Sequence, residues 1–140
     1  MIRLTRRYGF SAAHVLARDD WSSERNRAVY GKCANPAGHG HNYRVEVTLQ
    51  GELDPRSGQL LPPERLDELV EARVLRELDG RFLNRDVPWF ARHVPTAENI
   101  AKRIWHSLAG EVSPARLVGI RLVETRNNSV EYLGDGEDSA

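Results

Sequence analysis

Hydrophobic and polar side chains alternate in four stretches of the chain, which is the period of a β-strand with one buried face. His14 falls on the apolar face of the first stretch. His39 and His41 continue the apolar parity at the start of the second. The pattern therefore predicts strands over residues 2–14, 42–49, 118–122 and 130–132.

Apolar side chains at helical spacing predict two amphipathic helices between the second and third strands. The first helix covers residues 63–79, begins at a proline pair and can end at Gly80. The second begins after Thr96, a residue type that caps helix N-termini, and stops before Gly110. The aromatic segment 82–94 between the helices is predicted to be irregular.

A polar segment rich in turn-forming residues, residues 17–40, separates the first two strands. It is longer than the connections that compact domains usually contain without a functional reason. We therefore expect it to be a functional loop.

The order strand, strand, helix, helix, strand, strand predicts an α+β fold, with both helices on one face of an antiparallel four-stranded sheet. The length of 140 residues suits a single domain, and the sequence has neither an internal repeat nor an interdomain linker. We predict one domain over residues 1–134. The acidic tail, residues 135–140, lacks apolar side chains and is predicted to be disordered.

Composition narrows the functional classes. Twenty basic and twenty acidic residues cancel, so the chain has no overall positive field for nonspecific nucleic-acid binding. No apolar run approaches the roughly 20 residues of a membrane span. One cysteine cannot form an intramolecular disulfide, and the first residues lack a secretory pattern. These features predict a reduced, cytoplasmic setting and a small-molecule ligand.

Three histidines form a candidate metal site. His39 and His41 are two positions apart on a predicted strand, so their imidazoles project from one face and can share a metal ion. His14 can supply a third ligand from the neighbouring strand. Three neutral imidazoles leave zinc with an open fourth position, as in catalytic sites. The alternative is that these are ordinary hydrogen-bonded strand histidines.

Two further residues stand out. Cys33 lies close to the histidine pair and can be a fourth metal ligand, a small buried side chain, or a nucleophile or base activated by the cation. Glu124 shares strand parity with apolar residues, so its carboxylate points toward the core side. It either forms a salt bridge at the strand end or anchors a ligand with paired N–H donors.

Six segments in order resemble the 6-pyruvoyltetrahydropterin synthase family, and together they span nearly the whole chain. Five residues separate the cysteine from HGHNY, which resembles the tetrahydrobiopterin branch; the related 6-carboxytetrahydropterin synthases of queuosine synthesis usually have a shorter gap. The segments are FSAAH (10–14), CANPAGHGHNY (33–43), GELDPRSG (51–58), LDGRFLNRDVPWF (78–90), PTAEN (95–99) and VETRNNSVEY (123–132).

The resemblance implies the T-fold, in which subunits join their sheets into a barrel and two trimers stack into a homohexamer. It implies a zinc-dependent carbon–oxygen lyase that acts on 7,8-dihydroneopterin triphosphate by internal redox and triphosphate elimination. Carried over residue by residue, it assigns Zn²⁺ to His14, His39 and His41, proton transfer to Cys33 and Asp79, and pterin binding to Glu124, Thr96 and Glu98.

Two positions depart from the family pattern. Gly80 stands where the family usually has histidine. The neighbouring Asp79 carboxylate cannot replace that imidazole, because an imidazole both takes and gives protons near neutral pH. Ala97 stands where a second threonine is frequent. His93 is a hypothetical replacement for the imidazole; the alternative is an ordinary surface histidine.

Three functional hypotheses follow from these departures. The first is a 6-pyruvoyltetrahydropterin synthase, and the second is a related lyase that cleaves the pterin side chain, giving for example a 6-carboxypterin. The third is a hexamer that binds zinc and pterin without turnover. Retention of Cys33 and Asp79 favours chemistry, whereas Gly80 favours the third hypothesis.

Overall fold

The computed structural model describes residues 1–136 as an α+β fold built on a five-stranded sheet. The strands are β1 (Ile2–His14), β2 (His39–Gly51), β3 (Arg81–Phe82), β4 (Arg116–Thr125) and β5 (Asn128–Tyr132). The α-helices are α1 (Ser23–Tyr30), α2 (Pro63–Val70), α3 (Arg76–Leu78), α4 (Leu83–Asp86) and α5 (Ala97–Leu108).

The sheet has the order β3-β1-β2-β4-β5. Its neighbours are antiparallel except β3, which runs parallel to β1 over two residue pairs. The long ladder runs from the pair Ile2 and Gly51 to the pair His14 and His39 without a register shift. This continuous register places alternate side chains of both strands on the same face, as the sequence pattern requires.

One continuous core lies between the sheet and the longer helices. Val45, Val47 and Leu49 are fully buried on β2 because they share the face that the helices cover. Leu66 of α2 and Ile100 of α5 are also fully buried, at positions of the predicted apolar stripes. The α+β class and the placement of helices against the sheet are thus confirmed.

Both predicted helices are present, with a difference in the first. Between α2 and α3 the helix contains a π-helical turn (Glu71–Leu75), and the helical segment ends at Leu78 with Asp79 extended. Gly80 follows at φ +73°, the left-handed conformation that glycine adopts readily. Thr96 caps α5 as predicted, since its Oγ1 accepts a hydrogen bond from the Asn99 N–H at 3.2 Å.

The segments predicted to be irregular contain short elements. Residues 17–40 include α1 and a 3₁₀ turn (Gly31–Ala34), and residues 82–94 include α4 and a second 3₁₀ turn (Pro88–Ala91). Only Asn26 is buried on α1, so this helix has no apolar stripe that a periodicity argument can detect. β3 is a fifth strand that the four-strand prediction lacked, because two residues are too short for a periodic signal.

A β-bulge in β4 corrects one predicted side-chain direction. Gly119 pairs with Thr48 and Leu117 pairs with Leu49, so Val118 is the extra residue. Leu117 consequently enters the core and Val118 is only partly buried, contrary to the predicted alternation. Beyond the bulge Ile120 keeps the predicted parity and is fully buried.

The C-terminal segment is described as far as Gly136. The Asp135 carboxylate lies 2.9 Å from His106 Nε2 and accepts a hydrogen bond from the Tyr132 hydroxyl. The rest of the predicted acidic tail, residues 137–140, lies outside the described residues. Among residues 1–136, no helix has the length and apolar character needed to cross a bilayer.

Two leucines give a matched test of the core. Leu66→Ala should lower the free energy of unfolding by about 2–5 kcal/mol, because a fully buried side chain leaves a cavity. Leu53→Ala removes the same atoms from a site that is 45 % exposed and should cost about 0.5 kcal/mol or less. Urea unfolding of both variants measures the difference, and equal losses would contradict the assigned core.

Candidate metal centre

Three imidazoles meet at one end of the β1–β2 ladder. His14 ends β1 and pairs across the ladder with His39, while His41 lies opposite Ala12. One ring nitrogen from each histidine lies within 4.8 Å of the others, and the Nε2 atoms of His14 and His39 are 3.1 Å apart. The structure therefore brings together all three histidines of the predicted metal site.

His14 is held in one orientation by a backbone carbonyl. Its side chain is fully buried, and its Nδ1 lies 2.7 Å from the carbonyl oxygen of Pro95. A carbonyl can only accept, so Nδ1 carries the proton and donates it, which leaves the Nε2 lone pair facing the other histidines. This carbonyl–imidazole contact is the usual outer support of metal-binding histidines.

Burial favours the neutral imidazole form of His14 and His41, which is the form that binds metal ions. Burial lowers the pKa of His14 below its ordinary value, although the hydrogen bond to Pro95 partly opposes this effect. Burial also lowers the pKa of His41, and the nearby Glu124 carboxylate opposes it. Both imidazoles are therefore neutral at neutral pH, with lone pairs available for a metal ion.

One ring nitrogen has an unmet requirement. His41 Nε2 is buried and has no hydrogen-bond partner among residues 1–136. A buried polar atom without a partner is unfavourable by about 1–3 kcal/mol. A metal ion shared with His14 and His39 would satisfy it, and three imidazole nitrogens are a ligand set that zinc accepts. The residues present thus fit a metal ion.

Glu124 reaches the same centre from β4. Its Oε2 is 4.0 Å from His14 Nε2, and its Oε1 accepts a hydrogen bond from the Asn128 side-chain amide at 3.2 Å. The side chain is only 15 % exposed. Its carboxylate points toward the face that carries His14, as the strand parity predicted.

Cys33 lies in the 3₁₀ turn that follows α1 and carries a half-buried free thiol. Its backbone carbonyl accepts a hydrogen bond at 2.8 Å from the N–H of Leu16, which follows His14 by two residues. Burial, then Glu124, then Cys33 raise the pKa of Tyr43, so both groups lie near the Tyr43 hydroxyl. That hydroxyl is 3.4 Å from His14 Nδ1.

Asp79 is not part of this cluster within one chain. Its Oδ1 accepts a hydrogen bond from Ser11 N–H at 2.9 Å, and the next residue, Gly80, donates its N–H to the Ser11 carbonyl at 2.7 Å. These bonds hold Asp79 at the edge of β1 away from β2, which carries His39 and His41. A Cβ atom added at Gly80 would meet nothing within 4 Å.

The two predicted pterin-binding residues of α5 lie next to the centre without a recorded contact to it. Thr96 follows Pro95, whose carbonyl supports His14, but its own side chain caps the helix. Glu98 is exposed in the first turn of α5.

Known proteins match this chain along most of its length. Residues 3–135 match the model of the family described as 6-pyruvoyl tetrahydropterin synthase. The chain belongs to this family.

Individual relatives agree with the family match. The chain is 41 % identical to the 6-pyruvoyl tetrahydrobiopterin synthase of Homo sapiens, over 95 % of this chain and 92 % of that protein. It is 40 % identical to the Drosophila melanogaster protein of the same name, over 94 % of this chain and 79 % of that protein. The structure of Caenorhabditis elegans 6-pyruvoyl tetrahydropterin synthase superposes with a TM-score of 0.90 at 36 % identity, covering 96 % of each chain.

His93, the hypothetical replacement for the family imidazole, has a local role in this chain. Its Nδ1 lies 2.9 Å from the Trp89 carbonyl, and its ring stacks on the Trp89 ring at 3.8 Å. It lines a cleft of about 550 Å³ with Arg92 and Asn84, among others. None of these recorded contacts is with the three histidines.

Sequence analysis missed two groups that support the centre. The Pro95 carbonyl has no signal in the sequence, because any residue carries the same backbone group. Tyr43 had a usable signal, since it continues the parity of His39 and His41 into the buried part of β2. It is 1 % exposed and stacks on Phe10.

The lowered pKa of His14 predicts a direction for acid destabilisation of the metal-free protein. At a pH between the folded and unfolded pKa values the unfolded chain binds more protons, so the free energy of unfolding falls as pH drops below about 6.5. His14→Gln should reduce this loss, because glutamine does not titrate. Urea unfolding at pH 7.5 and 5.5 measures it, and an undiminished loss in the variant would contradict the assignment.

Proposed function

We propose that this chain is a zinc-dependent 6-pyruvoyltetrahydropterin synthase that acts on 7,8-dihydroneopterin triphosphate. The observation that supports this most directly is the convergence of three imidazoles, with His14 buried and His41 Nε2 unpartnered among residues 1–136, in a chain of this family. His14, His39 and His41 would hold the zinc ion. Zinc at this site would supply Lewis-acid chemistry, which would make the protons on the hydroxyl-bearing carbons of the substrate side chain easier to remove.

Cys33 is the base in this proposal. The backbone carbonyl of Cys33 accepts a hydrogen bond from Leu16 N–H, which ties the turn that carries the thiol to the chain just beyond His14. A thiol near a cation ionises more readily, and the thiolate can take a proton from a side-chain carbon. The half-buried position gives the thiol access to a ligand while limiting its contact with water.

Glu124 anchors the pterin ring. A carboxylate can accept two parallel hydrogen bonds from the paired N–H groups of a pyrimidine ring. Asn128 donates to one carboxylate oxygen and so restricts the rotation of the side chain. Thr96 and Glu98 assist from the start of α5, where Ala97 removes one hydroxyl that relatives often have.

The reaction needs no external oxidant or reductant. Proton removal from the side chain moves electrons into the dihydropterin ring, which becomes the tetrahydropterin. The loss of the two electrons that the ring takes up oxidises one hydroxyl-bearing carbon of the side chain to a carbonyl. The second carbonyl of the pyruvoyl group forms from the enol that triphosphate elimination leaves, as the terminal carbon becomes a methyl group. Triphosphate leaves as the carbon–oxygen bond breaks, so the protein must only move protons.

Asp79 joins the site in a hexamer of two stacked trimers. Within one chain it is bonded to β1 at Ser11, whereas a neighbouring subunit can bring it to Cys33. The unpaired part of the β1 edge supports such assembly, because β3 covers only Ala12 and Ala13. A single chain would thus contain an incomplete proton relay.

The deciding experiment is anaerobic incubation of the zinc-loaded protein with 7,8-dihydroneopterin triphosphate, followed by product analysis. 6-Pyruvoyltetrahydropterin and free triphosphate are the expected products. A side-chain-cleaved pterin would overturn the synthase in favour of the related lyase. Unchanged substrate with measurable binding would favour a zinc- and pterin-binding protein without turnover, the hypothesis that Gly80 suggests.

Removal of the thiol should abolish most turnover without abolishing binding. Cys33→Ser should lower kcat by about 10²- to 10⁴-fold, because a hydroxyl is a much weaker base at neutral pH. Zinc content and pterin affinity should change little, since His14, His39, His41 and Glu124 are intact. Loss of zinc together with turnover would instead identify Cys33 as a fourth metal ligand.

Gly80 gives a second kinetic test with a matched control. Gly80→His should raise kcat by about 10²-fold or more if the missing imidazole limits proton transfer, since a Cβ atom added at Gly80 meets nothing within 4 Å. Gly80→Ala adopts the same left-handed backbone at φ +73° without an imidazole. Each variant should cost about 1 kcal/mol in unfolding free energy.

Comparison of the two Gly80 variants isolates the imidazole from the backbone strain. Only the histidine variant should gain turnover. Equal rates for both variants would show that the native chain moves this proton by another route, and would reject the idea of a disabled relay.

A further inference from the structure

The backbone directly beyond His14 is held by a side chain that the proposed reaction does not use. Asn84 Oδ1 accepts a hydrogen bond from Val15 N–H at 2.8 Å, and Asn84 Nδ2 donates to the Val15 carbonyl at 2.8 Å. Both groups of one amide therefore bind both polar backbone groups of one residue. A neighbouring β-strand would make a similar pair of bonds.

Val15 stands where strand pairing ends on both sides. The β1–β2 ladder ends at the pair His14 and His39, and β3 reaches only to Ala13. The Asn84 amide continues the edge of the sheet for one more residue. Its position is set by α4, which directly follows β3.

The residues on either side of Val15 lead to the two halves of the site. His14 precedes it and is the buried metal ligand of the proposal. Leu16 follows it and donates its N–H to the Cys33 carbonyl at 2.8 Å. A displacement of Val15 would thus move the imidazole and the thiol-bearing turn relative to each other.

We infer that Asn84 is a positioning residue that sets the separation between the three-histidine centre and Cys33. The inference rests on the proposed function, because it concerns the placement of that metal site and that base. Within residues 1–136 both side-chain hydrogen bonds of Asn84 go to the backbone of Val15, so Asn84 acts on the site through that backbone. Misplacement by about 1 Å is enough to lower a rate by roughly 10²-fold.

Asn26 provides a matched control within the same segment. Its Oδ1 accepts from Arg18 N–H at 2.8 Å and its Nδ2 donates to the Arg18 carbonyl at 3.0 Å, which is the same two-bond arrangement. Asn26 is buried on α1 and lies beyond Leu16 as seen from His14. Its loss should therefore disturb the cysteine side of the segment without reaching the metal ligands.

The test compares Asn84→Ala, Asn84→Asp and Asn26→Ala by two independent readouts. Co²⁺ is the probe of the metal centre, through its affinity and its visible absorption bands. Iodoacetamide is the probe of the thiol, because Cys33 is the one cysteine in the sequence and alkylation reports a single site. Asn84→Asp keeps the side-chain shape and the acceptor, so it can be measured if the alanine variant fails to fold.

Both Asn84 variants should bind Co²⁺ about 10-fold or more weakly, with shifted absorption bands, as expected when the support of a ligand is lost. The alkylation rate of the metal-free protein should change several-fold, and kcat should fall about 10²-fold. KM should change little, because Glu124 is held by β4 and Asn128. Asn26→Ala should keep the native Co²⁺ affinity within about twofold.

Two outcomes would overturn the inference. One is native Co²⁺ affinity, absorption and alkylation in both Asn84 variants; the other is an equal loss of Co²⁺ affinity in Asn26→Ala, which would indicate general loosening. Failure of the unmodified protein to bind Co²⁺ would overturn the proposed metal site instead. In that case the alkylation rates of the metal-free variants still decide whether Asn84 places Cys33.

Discussion

The register of the β1–β2 ladder is the constraint on which the site depends. Because side chains alternate between faces, a shift of one residue would turn every core side chain of a strand toward solvent. The same shift would remove His14 from its position opposite His39. Burial of Val45, Val47 and Leu49 therefore stabilises the geometry of the histidine cluster as well as the core.

Burial of the histidine cluster favours metal binding, but the same burial lowers the stability of the metal-free fold. Burial lowers the pKa of His14 and of His41 and so favours their neutral forms, but it also leaves His41 Nε2 without a hydrogen-bond partner among residues 1–136. The continuous β1–β2 ladder and the buried side chains of β2 stabilise the strands that carry the three histidines. Among the histidines of the cluster, and within residues 1–136, only His14 has its outer nitrogen bonded to a carbonyl, that of Pro95, so the segment just before α5 helps to support the centre.

The thiol of Cys33 is positioned by a short turn outside the sheet. Cys33 lies in a 3₁₀ turn after the short polar helix α1. The hydrogen bond from Leu16 N–H to the Cys33 carbonyl connects this turn to the end of β1. The sheet therefore carries the three histidines of the cluster, whereas a short 3₁₀ turn outside the sheet carries Cys33. Asn84 stands between the two because it belongs to the segment after β3 and bonds to the segment after β1.

The sequence by itself determined four of the five strands, both amphipathic helices, the common face of the three histidines and the direction of Glu124, because side-chain direction follows from local periodicity. Only the tertiary structure decided the bulge at Val118, the helix in the polar segment, and the bonding of Asp79 to the β1 edge. Those features depend on which backbone groups of distant segments meet, and backbone groups are the same for almost every residue type.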